Sequence, residues 1–159
     1  MTKMKKLCLN LGCGSTDYQE STDECQWINV DRSTAVKTDQ CYDITTGLPH
    51  EDNSIEAIHA GCILEQLTSK EFLFVMNECH RVIKPNGVMT GYVPSTDPRV
   101  LHLDPMDLMF FQEGSFLYLV KNCDPPCWER FGKNYGFFPW SYHKVETNPA
   151  GIIYFSLIK

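Results

Sequence analysis

The sequence predicts an α/β sandwich, in which helices and loops pack on a largely parallel sheet. Short apolar runs alternate with one strong helical pattern and several turn-rich joints, which is typical of this fold class. Several of the runs carry few charges, as strands covered on both faces do. At 159 residues the chain has the size of one domain with one site.

Six strands are predicted from the apolar runs. They are Lys6–Leu11, Trp27–Val30, Ser54–Ala60, Gly87–Val93, Tyr142–Glu146 and Ile152–Ile158. One long helix is predicted to begin at Thr68 or Ser69, because either hydroxyl can cap it and Glu71 places an acid in the first turn. The helix ends before Pro85, which cannot continue it, so the strands on either side form a right-handed parallel crossover.

The helical cover of the sheet is predicted to be reduced. Residues 15–26 connect the first two strands and contain STDYQESTDE, which has no apolar stripe, so the first helix is short or missing. Residues 95–140 are rich in proline and aromatic residues, and they predict short helices and loops along one edge.

Composition excludes several classes of protein. The net charge is −6 and the isoelectric point is about 5.3, which makes a nucleic-acid partner unlikely, since such proteins need a basic face. No apolar stretch is long enough for a membrane span. The eight cysteines include no Cys-x-x-Cys pair, so we expect reduced thiols in a cytoplasm and no metal site.

A glycine turn, Gly12-Cys13-Gly14, follows the first strand. A dinucleotide site needs a third glycine three residues later, with a helix N-terminus facing the pyrophosphate. Asp17 occupies that third position, and its carboxylate disfavours an oxidoreductase with a nicotinamide dinucleotide. Asp31 ends the second strand, where an acid can bind both ribose hydroxyls; the alternative is a helix cap or a solvated strand end.

An acidic glycine turn followed by a ribose-binding acid predicts a ligand that contains adenosine but no phosphate. S-adenosylmethionine fits this prediction, because its sulfonium and ammonium groups tolerate an acidic rim. From Leu9 to about Pro94, the segments LNLGCG, W-INVD, LP-EDNSIE-I, ILEQL, ECHRVIKPNG and YVP resemble, in this order, the class I S-adenosylmethionine-dependent methyltransferases, especially the short bacterial and phage-type members.

The resemblance implies a Rossmann-like three-layer sandwich with a mostly parallel sheet and a final antiparallel hairpin. Residues 1–94 would then form the cofactor-binding half of a single domain, residues 1–159. Residues 95–159 would supply the substrate-side loops and the hairpin. The implied enzyme transfers a methyl group from S-adenosylmethionine to a small-molecule or sugar-like acceptor.

The cofactor site implied by the resemblance lies at the carboxyl ends of the first four strands. Its members are Asn10, Gly12, Cys13, Gly14, Asp31, Arg32, Asp43, Ile44, Ala60, Gly61 and Glu65. The glycine turn would wrap the methionine part, and Asp43 with Ile44 would flank the adenine. The alternative to adenine contact for Asp43 is that its side chain only caps a turn. Glu65 is either a ligand contact or a surface or cap residue.

Three residues depart from the family pattern. Asn10 replaces an acid in the glycine motif, Gln66 replaces the histidine of LEHL, and Asp107 replaces the histidine of DPTH. The last two leave open a second function, that of a catalytically weak or inactive cofactor-binding scaffold or partner subunit. A homodimer is equally left open.

Methyl transfer is an in-line displacement, so the protein mainly positions donor and acceptor. A hydroxyl acceptor benefits from a base, and the candidates are His102 and Asp104, which follow the fifth predicted element at the mouth of the sheet. The alternative for His102 is a loop histidine without a role.

Overall fold

The computed structural model describes residues 5–101 and 103–159. A seven-stranded sheet runs through them in the spatial order β3-β2-β1-β4-β5-β7-β6. The strands are β1 (Lys6–Leu11), β2 (Cys25–Asp31), β3 (Gln40–Cys41), β4 (Ile55–Gly61), β5 (Ile83–Pro94), β6 (Tyr142–Thr147) and β7 (Ile152–Ile158). The first five strands are parallel, and β7 and β6 form an antiparallel hairpin beside β5. The predicted fold class is confirmed.

Helices are few in the described ranges. They are α1 (Ser69–Val82), the single turn α2 (Lys133–Tyr135), 3₁₀ turns at Ile44–Thr46, Leu64–Gln66 and Glu113–Tyr118, and a π turn at Trp128–Gly132. No helix within residues 5–101 and 103–159 is long and apolar enough to cross a bilayer. The reduced helical cover is therefore confirmed, and residues 12–24 form turns and bends where a first helix was in doubt.

Strand boundaries agree with the prediction to within two residues except at β3 and β5. β1 and β7 have the predicted bounds, whereas β3 was not predicted, because two residues are too short to show an alternating pattern. β5 starts directly after α1, at Ile83, and the expected Asn86 turn lies inside it. The pairing of β4 with β5 shifts register between Ile55 and Ala57, so the extra residues of the turn bulge out of β5. Asn86, in this bulge, has a φ of 66°.

α1 closes the core on one face of the sheet. The Thr68 hydroxyl accepts a hydrogen bond from the Glu71 N–H, while the Glu71 carboxylate accepts from the Thr68 N–H at 2.8 Å, which is the predicted capping box. The buried stripe of α1 is Phe72, Val75, Met76, Cys79 and Val82. It belongs to the same core cluster as Leu9, Ile58 and Met89 of the sheet.

The opposite face of the sheet carries a row of polar side chains. Register neighbours form this polar row: Asn29 of β2, Asn10 of β1, His59 of β4, Thr90 of β5 and Ser156 of β7. Residues 17–19 lie on the row in place of a helix. The amide of Asn10 donates to the carbonyl oxygen of residue 17, and the amide of Asn29 donates to that of residue 19 at 2.9 Å.

Cover over this face ends beyond β5. The expectation of strands covered on both faces is wrong for β7, where Tyr154 is 45% exposed, because residues 17–19 are too few to reach across the sheet. A shallow groove of about 420 Å³ remains there, between His59, Tyr92 and Tyr154.

Residues 95–101 and 103–140 form short helices and loops, as predicted, and their aromatic rings extend the core. Phe116 stacks on Phe155 of β7 with ring centroids 4.7 Å apart, and Phe111 stacks on Phe116 at 5.7 Å. Trp140 is buried as well. This aromatic layer attaches the second half of the chain to the sheet.

A Glu78–Arg81 pair on α1 fixes the loop that leads away from the Ile44–Thr46 turn. The Arg81 guanidinium donates to the carbonyl oxygens of Leu48 and His50 at 3.0 and 2.9 Å, and to both oxygens of Glu78 at 2.8 Å. Glu78 also accepts from the Leu48 N–H at 2.9 Å. The pair therefore connects the helix to the chain that forms one wall of the site described below.

Arg81→Ala is expected to lower the free energy of unfolding by about 2 kcal/mol, because two carbonyl groups and a carboxylate lose a charged donor. Urea denaturation measures the change. Arg99→Ala is the matched control, since Arg99 pairs only at the surface with neighbouring Asp97. Equal changes in the two variants would contradict the role given to Arg81.

Candidate functional site

A cleft opens at the carboxyl ends of β1, β2 and β4, where the strand order of a doubly wound sheet reverses and ligands bind. One half, about 100 Å³, is lined by Gly12, Asp31, Arg32, Tyr42, Asp43, Ile44, Thr45, Ile63, Gln66 and Leu67. The other half, about 330 Å³, is lined by Gly12, Cys13, Gly14, Thr16, Asp17, Asp31, Gly61, Cys62, Ile63, Gln66 and Tyr92. Four residues line both halves, so the two halves are continuous.

The glycine turn forms the floor between the halves. Gly12 has a φ of 66° and Gly14 a φ of 50°, which side chains rarely adopt. A Cβ on Gly12 would lie only 2.7 Å from the Ile63 side chain. The Cys13 N–H donates to the Val30 carbonyl at 3.0 Å and so fixes the turn against β2. Gly12 thus leaves room that a side chain would fill.

Asp31 lies where the two halves meet. Its Oδ2 accepts a hydrogen bond from the Gly14 N–H at 2.9 Å, and its Oδ1 accepts from the Ser33 N–H at 2.8 Å. A carboxylate has about four lone-pair sites, so Asp31 keeps capacity for further donors such as ribose hydroxyls. The strand-end geometry predicted for Asp31 is present, and the two backbone donors orient its carboxylate.

Asp43 has the capping role that the sequence left open. Its Oδ1 accepts hydrogen bonds from the Thr45 N–H and hydroxyl at 2.9 and 2.8 Å, and the Ile44–Thr46 turn begins there. These two bonds are the main reason that the pKa of Asp43 lies below its usual value. Asp43, Ile44 and the exposed Arg32 all line the smaller half of the cleft.

Three predicted cofactor residues do not line the cleft. Asn10 is fully buried and faces residue 17 and Asn29 through its amide, because its side chain points to the polar row. Ala60 is fully buried in the core on the α1 side of the sheet. Glu65 is 2% exposed and lies behind the turn that lines the cleft. Their side chains support the site from behind.

Several lining residues were missed by sequence reasoning. They are Thr16, Asp17, Tyr42, Thr45, Cys62, Ile63, Leu67 and Tyr92. Each lies within about six residues of a strand end, and this nearness to a strand end is the sequence feature that could have identified them. Gln66, noted before only as a departure, lines both halves.

Of the two predicted bases, Asp104 lies beside the cleft and His102 lies outside the described residues. The Gln66 amide donates to Asp104 Oδ2 at 3.4 Å, and the Met106 N–H donates to Asp104 Oδ1 at 2.9 Å. Gln66 thus connects Asp104 to the lining of both halves, so the carboxylate lies at the mouth of the cleft.

The buried carboxyl of Glu65 belongs to an acidic cluster with Asp104 and Asp107. Burial is the main cause that raises the pKa of Glu65 to about 7, and the charges of Asp107 and Asp104 contribute in the same direction. The backbone carbonyl of Glu65 accepts from the N–H groups of Leu108 and Met109 at 2.8 and 2.9 Å, which ties the segment after Asp104 to the cleft.

No group of three or more metal-ligating side chains occurs among the described residues. All eight cysteines are free thiols. Burial raises the pKa of Cys62, which lines the larger half of the cleft, to about 12, and the charge of Glu65 acts in the same direction. Cys62 is therefore a neutral thiol near neutral pH.

Glu65→Gln is expected to alter the pH dependence of stability. Between the usual pKa of 4.5 and about 7, the folded chain keeps a proton on Glu65 that the unfolded chain releases, so the contribution of Glu65 to stability falls as pH rises through this window. The loss amounts to at most about 3.5 kcal/mol, at about 1.4 kcal/mol per pKa unit. Urea denaturation from pH 5 to 8 measures it.

Because glutamine does not titrate, the difference in unfolding free energy between wild type and Glu65→Gln reports the titration of Glu65 alone, separately from that of the histidines. A difference in unfolding free energy that stays constant over the pH range would contradict the raised pKa.

Comparison with known proteins identifies the fold. A methyltransferase from Archaeoglobus fulgidus, described as S-adenosylmethionine-dependent, superposes with a TM-score of 0.73 at 13% identity, covering 99% of this chain and 88% of that chain. Another from Aquifex aeolicus gives a TM-score of 0.66 at 14% identity, covering 99% and 85%. A methyltransferase in complex with the Haloferax volcanii Trm112 activator gives 0.62 at 12%, covering 99% and 84%. These identities show a shared fold.

The family is shown by the sequence itself. No curated protein sequence matches the chain significantly. The family model described as a methyltransferase domain matches residues 9–90, which contain the second half of β1, all of β2 to β4 and α1, and most of β5. The match spans more than half of the chain and includes the glycine turn and Asp31. The chain therefore belongs to the methyltransferase-domain family.

Proposed function

We propose that the protein transfers the methyl group of S-adenosylmethionine to a hydroxyl of a small-molecule, sugar-like acceptor that enters beside Asp104. The observation that carries the proposal is the position of Asp31 at the junction of the two halves of the cleft, with the glycine turn beneath it. A ribose bound there has room for adenine on one side and for the amino-acid part on the other.

Particular residues are proposed to hold each part of the cofactor. Asp31 accepts the ribose hydroxyls. Ile44, with Asp43 beside it, lies against the adenine in the smaller half, where Ile63 supplies a second apolar surface. Gly12 permits the close approach, since a Cβ there would meet Ile63.

When bound, S-adenosylmethionine supplies a methyl group on a positively charged sulfur. The protein holds the acceptor oxygen in line with that carbon, an effect that can lower the barrier by roughly 7–11 kcal/mol. When the acceptor oxygen takes the methyl group, the proton of that hydroxyl would pass to the Asp104 carboxylate, and the cofactor would leave as a neutral thioether. Gln66 and the Met106 N–H orient Asp104 for this transfer.

The acidic composition supports a small acceptor. With a net charge of −6 the protein repels nucleic acid, and Asp104, Asp107 and Glu65 concentrate acidic groups near the cleft mouth. The free state of all eight cysteines supports work in a reducing cytoplasm.

One observation favours a second candidate, a scaffold or partner subunit that binds the cofactor with little catalysis. Gln66 lies in the cleft where relatives of this type carry histidine, and an amide cannot accept a proton at neutral pH. The Haloferax volcanii neighbour is complexed with an activator protein, which supports a search for a partner. A homodimer stays a prediction.

Asp31→Asn is expected to weaken S-adenosylmethionine binding about tenfold or more, because the ribose loses a charged acceptor while the volume of the side chain is kept. Isothermal titration calorimetry measures the dissociation constant. Asp23→Asn, in an exposed bend, is the control and should bind like wild type. Unchanged affinity in Asp31→Asn would exclude the proposed ribose site.

Asp104→Asn is expected to lower turnover about a hundredfold, because a neutral amide cannot take the proton of the acceptor hydroxyl. The assay measures release of S-adenosylhomocysteine with a panel of monosaccharides, phenols and other small hydroxyl compounds. Cofactor affinity should not change, since Asp104 lies outside the cleft lining. Cofactor binding by wild type without turnover of any acceptor would favour the scaffold.

A further inference from the structure

We propose that Asp17 binds the α-ammonium group of S-adenosylmethionine and so replaces the acid that is missing at Asn10. The inference rests on the proposed cofactor site, in which the amino-acid part of the ligand occupies the larger half of the cleft. It adds a residue that determines which ligands the site accepts: those with a primary ammonium group at this end.

Asn10 cannot bind the ammonium group. Its side chain is fully buried, and its amide nitrogen donates to the carbonyl oxygen of Asp17 and to Asn29 Oδ1, the latter at 2.9 Å. It also carries no charge. Instead, Asn10 holds the main chain of Asp17 at the edge of the cleft, and the carboxylate appears seven residues further along the chain.

The Asp17 carboxylate lies in the wall of the larger half. A Cβ built on Gly61 would overlap Asp17 Oδ2 and the ring of Tyr92, so only a glycine at the end of β4 leaves room for this carboxylate. The Asp17 N–H donates to the Cys13 carbonyl at 3.1 Å, which joins it directly to the glycine turn. Asp17 therefore lies between the two strand ends that bracket the proposed amino-acid part.

The charge in this half of the cleft favours a cationic ligand group. Its charged lining residues are Asp17 and Asp31, and its lining includes no lysine, arginine or histidine. Asp31 is oriented by Gly14 and Ser33 and is assigned to the ribose. Asp17 is thus left to balance the ammonium, since a charge-assisted hydrogen bond is about twice as strong as a neutral one.

The polar row keeps Asp17 in place. Its Oδ2 lies 3.0 Å from His59 Nε2, its Oδ1 accepts from the Gln19 amide at 3.1 Å, and His59 Nδ1 lies 3.3 Å from the Thr90 hydroxyl. The tautomer with hydrogen on Nε2 donates to Asp17 and accepts from Thr90, which satisfies all of these groups. The carboxylate is then oriented before the ligand arrives.

Tyr92 lies beside Asp17 as a neutral phenol. Burial and then the charge of Asp17 raise the pKa of Tyr92 to about 12, so the phenol stays neutral beside the carboxylate. The Tyr92 ring lines the cleft next to Gly61 and separates it from the groove on the open face of the sheet. Asp17 is accessible to a ligand from the cleft side.

The test compares three ligands by calorimetry on wild type and Asp17→Asn. S-adenosylhomocysteine has the amino group, 5′-methylthioadenosine lacks the whole amino-acid part, and 5′-deoxy-5′-(3-carboxypropylthio)adenosine lacks only the amine. Asp17→Asn should weaken S-adenosylhomocysteine about tenfold or more and leave 5′-methylthioadenosine within about twofold. Asp23→Asn is the control on the same connecting segment.

The ligand without the amine keeps the inference testable even if Asp17→Asn unfolds. Wild type should bind this ligand about tenfold more weakly than S-adenosylhomocysteine, and Asp17→Asn should bind the two alike, as a double-mutant cycle between Asp17 and the amine requires. Equal binding of the two by wild type overturns the inference, as does a loss in Asp17→Asn that is the same for all three ligands in a folded variant. Failure of wild type to bind any of the ligands would reject the proposed cofactor site instead.

Discussion

The hydrogen bonds between residues 17–19 and the polar row are the interaction on which the site depends. In the absence of a first helix, nothing else in the described part of the chain holds the glycine turn from the open face of the sheet. Asn10 and Asn29 bind the carbonyl groups of this segment, and His59 contacts Asp17. Three buried or half-buried polar side chains thus replace the apolar face of a helix. If their polar groups were left unpaired inside the fold, the free energy of folding would be less favourable.

The order of elements could be predicted because it follows from local signals. LCLNLGCG shows both the strand and its turn, and Thr68 with Glu71 shows where α1 begins. The polar row could not be predicted, since its members are brought together by register between four or more strands. Asn10 looked like a cofactor residue because its neighbours in the chain, Gly12 to Gly14, line the cleft. The two-residue alternation of a strand turns the Asn10 side chain to the opposite face.

The cofactor site was predictable to the extent that it depends on strand ends. Gly12, Gly14 and Asp31 line the cleft, each at a position that the sequence marks. Tyr92 comes from β5, and the parallel pairing of β4 and β5 places it beside Gly61. Gln66 comes from the Leu64–Gln66 turn after β4. Asp17 was predicted to be an obstacle to phosphate, and the sequence could not show that its carboxylate lies against Gly61 at the end of β4.

The protonation of Glu65 makes the electrostatic potential in the cleft depend on the pH of the solution. As the solution becomes more alkaline, its carboxyl loses a proton behind the turn that carries Cys62 and Gln66, both of which line the cleft. The new negative charge costs folding energy and at the same time strengthens the attraction for any cationic molecule at the entrance. A rise in pH around neutrality therefore lowers the stability of the fold and makes the potential of the cleft more negative, both through one buried carboxyl group.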